Sequence, residues 1–298
     1  MITGLLQKAS SAKQANEEAK ELELIKLAVS TAQVEGEGNI TTKNLKDELE
    51  KILGNDIKLF ENSSYWYCKE YRIYKEDGKI EKGKLLPDAY QQVEYIESSG
   101  TQYVDTGIKN DINFGYIQCK FQITSLTESR YFIFGCYADE YINNENLNRL
   151  QFSFSNPYFI GIGNLNSYTN SQANSKFSKN IKNVKFSTTQ CIVDDELIYT
   201  GTGYTSISNP VNIFIFANNT VGNVERKAKD IRVYSFRIYN SSNEVIRDFI
   251  PCKSTMVVTN AYGDTVTANT KGFYDLVEGK FYTNKDNSGD DFTTESDV

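Results

Sequence analysis

The feature that most constrains this fold is a succession of short segments, from Tyr90 to Asn284, in which apolar and polar residues alternate. A period of two indicates strands with one buried face. YIQCKFQI at 116–123 and DIRVYSFRIY at 230–239 are clear examples. Many short strands separated by polar turns are typical of an antiparallel β-sandwich, and this length suits one large sandwich of the jelly-roll kind.

Strict alternation makes specific predictions about faces and turns. Within 230–239, the more apolar of the two alternating sets is Arg232, Tyr234, Phe236 and Ile238. The segment NVKFSTTQCIVD is predicted as one strand. Polar dipeptides and single asparagines are predicted as the turns between strands. They are Asn143-Asn144, Asn164, Asn218-Asn219 and Ser241-Ser242.

The chain begins differently, with one long helical pattern over residues 3–35. No Pro or Gly interrupts the run between Leu5 and Glu35, and Gly36 and Gly38 end the helix. A second helix is predicted in TTKNLKDELEKILG, capped by Thr41 or Thr42. The apolar stripe of the first helix is narrow and rich in alanine, so we expect it to pack closely on a neighbour. Its members are Leu5, Ala9, Ala12, Ala19, Leu22, Ile25, Val29 and Ala32.

The resulting fold class is mainly β with an N-terminal α-helical stem. We divide the chain into a helix plus small antiparallel sheet at 1–82, a linker at 83–89 and a β-sandwich at 90–284. Short strands around an Asp77-Gly78 hairpin turn form the predicted small sheet. The last segment, 285–298, is polar and acidic, and we expect a loose tail.

Composition removes several classes of function. The net charge is -7 with no dense basic run, which argues against a nucleic-acid partner. The chain has no histidine, so Ser-His and Cys-His nucleophile pairs cannot form. Its five cysteines include no CxxC pair, and we predict that Cys119 and Cys136, which fall in apolar strand patterns, are buried as small apolar side chains rather than paired in disulfides.

Two resemblances sharpen this reading. The segment YQQVEYIESSGTQYVDTGIK at 90–109 resembles the opening of laminin-G/concanavalin A-like domains of Gram-positive surface and phage-associated proteins. The segments at 231–253 and 272–284 resemble later parts of the same domains, and together they frame roughly two-thirds of the chain. The resemblance implies a concanavalin A-like jelly-roll β-sandwich that binds carbohydrate or protein or acts as a spacer.

The start of the chain, from GLLQKASSAKQANEEAK onward, resembles the region after the membrane helix of Gram-positive type IV pilin-like proteins. The family's helix continues into a small sheet, which fits residues 56–82. The printed sequence begins at Met1-Ile2-Thr3 and does not contain the family's cleavage motif and apolar half-helix. The resemblance implies a pilin-like α+β module whose partners are other pilin-like subunits, with membrane contact only through a segment absent from this sequence.

Candidate site residues lie near predicted loops. Exposed tyrosines can stack on sugars. We expect no cofactor, and calcium is the one ion that loop oxygens of such a domain could bind. Asp194 and Glu196 are candidate carboxylates of a glycosidase, although a hairpin turn explains VDDELIYTG better. The ligand-binding candidates are Tyr137, Tyr141, Tyr158 and Tyr168, and the calcium candidates are Asp139, Glu140 and Asn143.

These features favour a non-enzymatic protein of the cell surface or extracellular space. The preferred interpretation is a minor pilin or pilin-like adhesin that displays a lectin-like domain for carbohydrate or a surface protein. Two alternatives stay open: a phage or prophage receptor-binding protein and, less favoured, a glycoside hydrolase. A narrow alanine-rich stripe without sustained heptads fits a pilin stem better than the trimeric coiled coil of a phage stem.

Overall fold

The computed structural model describes residues 2–54, 57, 59–61, 65–69, 71–83, 85–111, 113–125, 131–137, 149–154, 159–163, 180–200, 210–286 and 291–295. The chain divides into two compact units, residues 1–87 and 88–298. Secondary structure is mainly β with two helices near the N terminus, as the sequence predicts. Within the described ranges, no helix is both long enough and apolar enough to cross a membrane.

The first unit contains two helices and a four-stranded antiparallel sheet in sequential order. The segment YWYCKEYRIY forms two strands rather than one, because the chain turns at Lys69, which has φ 55°. The predicted Asp77-Gly78 turn is present, and the Asp77 Oδ1 accepts a hydrogen bond from the Lys79 N–H. The elements are α1 (Ile2–Glu35), α2 (Thr42–Leu53), β1 (Leu59–Glu61), β2 (Tyr65–Cys68), β3 (Tyr71–Tyr74) and β4 (Ile80–Lys82).

The second helix begins with a capping box. The Asn44 N–H donates to the Thr41 Oγ1 at 3.2 Å, and the Thr41 N–H donates to the Asn44 Oδ1 at 2.7 Å. These two bonds satisfy backbone donors that a helix start leaves without partners. Gly54 follows the last turn with φ 100°, a conformation that favours glycine.

The apolar stripe of α1 is buried only in its C-terminal half, among the side chains that the structure describes. Ile25, Ala28 and Ala32 are fully buried against Trp66 and other aromatic and aliphatic residues of the small sheet. Ala19 is exposed, contrary to its place in the predicted stripe. The small side chains let the helix backbone approach the sheet closely.

The second unit is a β-sandwich of a seven-stranded and a ten-stranded sheet. The seven-stranded sheet has the order β11-β10-β9-β15-β7, with β16 and β17 beside β9. Its strands are β7 (Val104–Lys109), β9 (Tyr131–Tyr137), β10 (Arg149–Phe154), β11 (Phe159–Gly163), β15 (Asn212–Ile215), β16 (Asn218–Thr220) and β17 (Asn223–Glu225).

The ten-stranded sheet has the order β14-β13-β12-β8-β18-β19-β22-β23, with β5 on β19 and β6 on β18. A separate hairpin pairs β20 (Val258–Thr259) with β21 (Thr265–Val266). The strands of the large sheet are β5 (Tyr90–Gln92), β6 (Ile96–Ser99), β8 (Phe114–Ile123), β12 (Lys182–Ser187), β13 (Gln190–Val193), β14 (Glu196–Thr200), β18 (Lys229–Asn240), β19 (Val245–Ser254), β22 (Lys271–Asp275) and β23 (Lys280–Tyr282).

The core lies between the two sheets and is rich in phenylalanine. Phe134 of the seven-stranded sheet lies 5.5 Å from Phe152 and, across the sandwich, 5.4 Å from Phe186 and 5.5 Å from Phe236, between ring centroids. All four rings are almost completely buried. Aromatic packing of this kind contributes a large apolar area to folding.

The prediction that side chains of β18 alternate strictly between the core and the outer face is wrong. A β-bulge between Val233 and Ser235 shifts the register against β8. Ile231 and Val233 therefore face the core together with Phe236 and Ile238. The bulge adds one residue to one strand, so the side-chain pattern changes face at that point.

Three other expectations differ from the structure. NVKFSTTQCIVD forms two strands, β12 and β13, instead of one. Asn218 and Asn219 belong to β16 and not to a turn. The C-terminal segment is not a loose tail at 291–295, because Phe292 is buried in the core and the Thr293 N–H bonds to the Glu97 carbonyl at 3.1 Å.

All five cysteines are free thiols and buried, which confirms the prediction for Cys119 and Cys136. Burial raises the pKa of Cys68 to about 11. Burial raises the thiol pKa still further at the four sandwich cysteines, Cys119, Cys136, Cys191 and Cys252. The thiolate is the reactive form, so a raised pKa together with burial protects these side chains from modification.

Folded protein is therefore expected to resist iodoacetamide at pH 8. At Cys68 only about one thiol in a thousand would be ionised at that pH. Intact mass spectrometry should show almost no alkylation of the native protein and five adducts after unfolding in guanidinium, one per free cysteine. Rapid labelling of the native protein would contradict the buried placement.

Candidate functional site

The outward face of the seven-stranded sheet carries an unusual row of side chains. Cross-strand pairing aligns Asp105 with Phe214, Phe214 with Gly135, Gly135 with Gln151, and Gln151 with Gly161. One of these five residues lies on each of five neighbouring strands, and together we call them the glycine-lined face. Alternation fixes their direction, because their strand neighbours lie in the buried core. Those core neighbours include Val104, Phe134, Cys136, Leu150, Phe152, Ile213 and Ile215.

Glycine is required at position 135. A Cβ there would lie 2.8 Å from the Asn218 Oδ1 and 3.2 Å from the Leu150 carbonyl oxygen. Gly161, two strands away, also lacks a side chain. The row thus contains an aromatic ring, a carboxylate and an amide with glycines between them, and the side chains of Phe214 and Gln151 are 6% and 5% exposed. The glycine at 135 lets the Asn218 side chain approach the backbone of β9 closely.

The carboxylate of Asp105 is held in a fixed orientation. Its Oδ1 accepts hydrogen bonds from the Asn212 Nδ2 at 3.0 Å and the Gly107 N–H at 2.9 Å. The Asp105 backbone N–H donates to the Tyr262 hydroxyl at 3.0 Å, and that hydroxyl donates to the Asp105 carbonyl at 3.1 Å. A carboxylate has about four acceptor positions, so it retains capacity for a ligand hydroxyl.

An aromatic pair lies beside this carboxylate. The rings of Tyr103 and Phe214 are 4.9 Å apart between centroids and tilted by 40°. Burial, with the charges of Asp105 and Asp286 nearby, raises the pKa of Tyr103. Its hydroxyl therefore stays protonated at neutral pH and can donate a hydrogen bond.

Asn218 brings an unsatisfied oxygen to the same face. Its side chain is fully buried, and its Nδ2 donates to the Thr220 Oγ1 at 2.7 Å. The Oδ1 has no hydrogen-bond partner among the described residues, and it lies against Gly135. A buried acceptor without a partner costs about 1–3 kcal/mol, and such groups are often retained for function.

A strained backbone places this asparagine. Phe216, between β15 and β16, has φ 64°, which is rare for a bulky residue. Its N–H bonds to the Ile133 carbonyl at 2.8 Å, and its carbonyl accepts from the Ala228 N–H at 2.6 Å. These bonds hold the kink that turns the chain from β15 into β16. Residues held in such conformations cluster at binding and active sites.

One of the four candidate tyrosines is part of this surface. Tyr137 is the last residue of β9, partly buried, and pairs with Arg149 in the row next to the glycine-lined face. Tyr141, Tyr158 and Tyr168 lie outside the described residues, as do the calcium candidates Asp139, Glu140 and Asn143. Among the described residues, no group of three or more His, Cys, Asp or Glu side chains could hold a metal ion.

Of the two candidate hydrolase carboxylates, Asp194 lies in a tight turn at the other sheet and Glu196 is the first residue of β14. Asp194 and Asp195, with φ 47° and 65°, form the turn between β13 and β14. The Asp194 Oδ1 accepts from the Asn183 N–H at 2.9 Å, and its Oδ2 pairs with the Lys182 ammonium at 2.7 Å. Both φ values are those of a two-residue hairpin turn, which supports the turn interpretation of this segment.

Sequence reasoning missed most of the glycine-lined face. FIFG and FIGIG carry glycines at outward positions, which is a signal for close backbone approach. Gln151 resembles any outward polar strand residue, and Asn218 resembles a turn residue. Only the pairing of strands brings these residues together.

Comparison with known proteins finds likeness at the level of folds. No protein-family model matches the chain, and no curated protein matches it. A solved structure titled "Ruminococcus gnavus IT-sialidase CBM40" matches with 15% identity and a TM-score of 0.37, covering 52% of this chain and 93% of that one. The same module bound to alpha2,3 sialyllactose matches with 14% identity and a TM-score of 0.31, covering 51% and 92%.

A leech intramolecular trans-sialidase complexed with 2,7-anhydro-Neu5Ac also matches, with 9% identity and a TM-score of 0.37. That match covers 69% of this chain and 37% of the other. Such low identities and TM-scores do not transfer a site or an activity. The functional argument for this chain therefore rests on its own residues.

Proposed function

We propose that the sandwich is a non-catalytic carbohydrate-binding domain of concanavalin A-like architecture, and that the glycine-lined face is its ligand site. The observation that carries the proposal is the single row in which Asp105, Phe214, Gly135, Gln151 and Gly161 succeed one another across the sheet. Sugars present both apolar C–H surfaces and hydroxyl groups. An aromatic ring beside fixed polar groups matches that chemistry.

The polar groups fit hydroxyl ligands in number and kind. The Asp105 carboxylate accepts hydrogen bonds, and the Gln151 amide can both donate and accept. None of the hydrogen bonds between described residues uses the Gln151 side chain, although it is only 5% exposed. The Asn218 Oδ1 adds an acceptor that no described residue satisfies.

Alanine at Gln151 should weaken glycan binding about tenfold or more, because a buried hydrogen bond contributes about 1–3 kcal/mol. A glycan array identifies the best ligand, and isothermal titration calorimetry then measures its Kd for wild type and variant. The matched control is Gln190→Ala, on the exposed start of β13. Equal Kd values for both variants, or no glycan bound by wild type, would overturn the proposal.

We propose further that the protein is a pilin-like subunit displayed at the cell surface. The support is the resemblance at 1–82 together with a 34-residue helix that packs on a small sheet. In this proposal α1 joins other pilin-like subunits, and the sandwich presents carbohydrate-binding side chains outward as an adhesin. Immunogold labelling of cells that express the full-length gene tests it, and protein found only inside the cell would refute it.

A further inference from the structure

The outward face of the ten-stranded sheet carries a second, chemically different surface. On β8 the outward residues are Tyr116, Gln118, Lys120 and Gln122, and Lys185 lies on the neighbouring strand β12. Gln118, Lys120 and Lys185 are all exposed. With Tyr234 and Tyr239 of β18, these residues form what we call the cationic face.

Tyrosine rings hold the two lysines in place. The Lys185 ammonium lies 4.2 Å from the centroid of the Tyr116 ring, and the Lys120 ammonium lies 5.6 Å from that of Tyr234. Tyr116 is itself stacked on Tyr239, with centroids 4.1 Å apart and planes 13° from parallel. Cation–π contacts restrict the long lysine side chains and reduce the entropy lost when a ligand binds.

The amide of Gln118 lies between these cations. Lys185 pairs directly with Gln118 across the strands, while Lys120 lies two positions along β8 on the same face. The Tyr239 hydroxyl donates a hydrogen bond to the Gln118 Oε1 at 3.0 Å. The amide nitrogen of Gln118 therefore points away from that hydroxyl and can donate to a ligand. The lysines are diagonal neighbours, whose Cβ atoms are about 7–8 Å apart in such sheets.

The groups that this surface offers to a ligand are therefore donors. They are two ammonium groups and one amide nitrogen, which require acceptor oxygens that carry negative charge. Neither Lys120 nor Lys185 takes part in an ion pair among the described residues, whereas Lys182 and Arg237 are paired with Asp194 and Asp248. In a chain with net charge -7, two lysines that no described carboxylate neutralises form a local positive site on this sheet face.

We propose that the cationic face is a second binding site, for an acidic polysaccharide whose carboxylate or sulfate groups contact Lys120, Lys185 and Gln118. A flat face of adjacent strands suits an extended polymer, and the tyrosine rings flank it with apolar surface. This site is separate from the glycine-lined face, which belongs to the other sheet. One sandwich would thus hold a carbohydrate on one sheet and an acidic polymer on the opposite sheet.

The test measures binding of heparin and polygalacturonate to the whole protein, with dextran as the neutral probe and oligothymidylate as the nucleic-acid probe. We expect an acidic polysaccharide to bind more tightly than dextran or oligothymidylate, and to weaken as salt rises from about 0.05 M to about 0.5 M. Lys120→Glu with Lys185→Glu should weaken that binding at least tenfold. Tyr239→Phe, which frees the Gln118 amide, should weaken it less and leave its salt dependence unchanged.

Matched controls separate this proposal from the first one. Lys20→Glu with Lys43→Glu changes net charge equally at exposed positions of the other unit and should leave binding unchanged. Gln151→Ala should also leave acidic-polysaccharide binding unchanged, so failure at one face is distinguishable from failure at the other. The proposal is overturned if the two double variants weaken binding equally, or if dextran or oligothymidylate binds as tightly as the acidic polymers.

Discussion

Replacing Phe134 by alanine is expected to lower the free energy of unfolding by about 3–5 kcal/mol. The ring is completely buried and touches three phenylalanine rings within 5.4–5.5 Å, two of them on the opposite sheet. Alanine would remove this contact between sheets and leave a cavity that rigid neighbours cannot fill. Urea denaturation followed by tyrosine and tryptophan fluorescence and by circular dichroism gives the free energy.

The control is Leu197→Ala on edge strand β14, where the side chain is 53% exposed. That change should cost no more than about 0.5 kcal/mol. A loss below about 1 kcal/mol for Phe134→Ala would mean that the two sheets do not share the aromatic core described above.

Replacing Asp275 by alanine is also expected to lower the free energy of unfolding by about 3–5 kcal/mol. Asp275 is fully buried at the end of β22. Its Oδ1 accepts hydrogen bonds from the backbone N–H of Asp248 at 2.8 Å and from that of Val277 at 3.1 Å. Its Oδ2 accepts one from the backbone N–H of Glu278 at 3.3 Å. Arg247 contributes an ion pair at 3.5 Å. Alanine would leave three donors and a buried guanidinium with fewer partners.

Burial raises the pKa of Asp275, and the surrounding N–H donors and Arg247 oppose that rise. Asp275→Asn keeps an acceptor oxygen and should therefore cost less than Asp275→Ala. The matched control is Asp264→Ala, at an exposed turn, which should cost less than about 1 kcal/mol. Thermal unfolding would contradict this account if the Asp275 and Asp264 variants melted at the same temperature.

Local patterns predicted the elements that depend on local interactions. The uninterrupted helical pattern predicted α1, and the Thr41–Asn44 capping box is readable from neighbouring residues. Single strands such as β8 follow their alternation. These features require only contacts within one turn or one strand, which the printed sequence contains.

Alternation failed where a tertiary contact changes the register. In β18 the bulge at Val233–Ser235 is set by pairing with β8, a partner more than a hundred positions earlier. The pattern of 230–239 alone therefore selects Phe236 and Ile238 correctly, but it selects Arg232 and Tyr234 in place of Ile231 and Val233. Asn218 was assigned to a turn because asparagine favours turns, yet parallel pairing of its neighbour Asn219 with Cys136 draws the segment into the sheet.

The candidate site was the least predictable part, since the five residues of the glycine-lined face lie on five different strands. Asp105 and Phe214 meet only because β7 pairs with β15, and Gln151 reaches Gly135 only because β10 pairs with β9. Tyrosine was a reasonable guess for a sugar-binding residue, and Tyr137 does lie in the next row. The outward glycines at 135 and 161 indicated the position of this face better than the tyrosines did.

The most direct test of the central claim is nuclear magnetic resonance of ¹⁵N-labelled protein during titration with the tightest glycan from the array. The account predicts chemical-shift changes at the backbone amides of Gly135, Gln151 and Gly161 and at the Asn218 side-chain amide. Changes confined to the cationic face, around Gln118 and Lys120, or none at saturating glycan, would contradict the assignment of the glycine-lined face as the carbohydrate site.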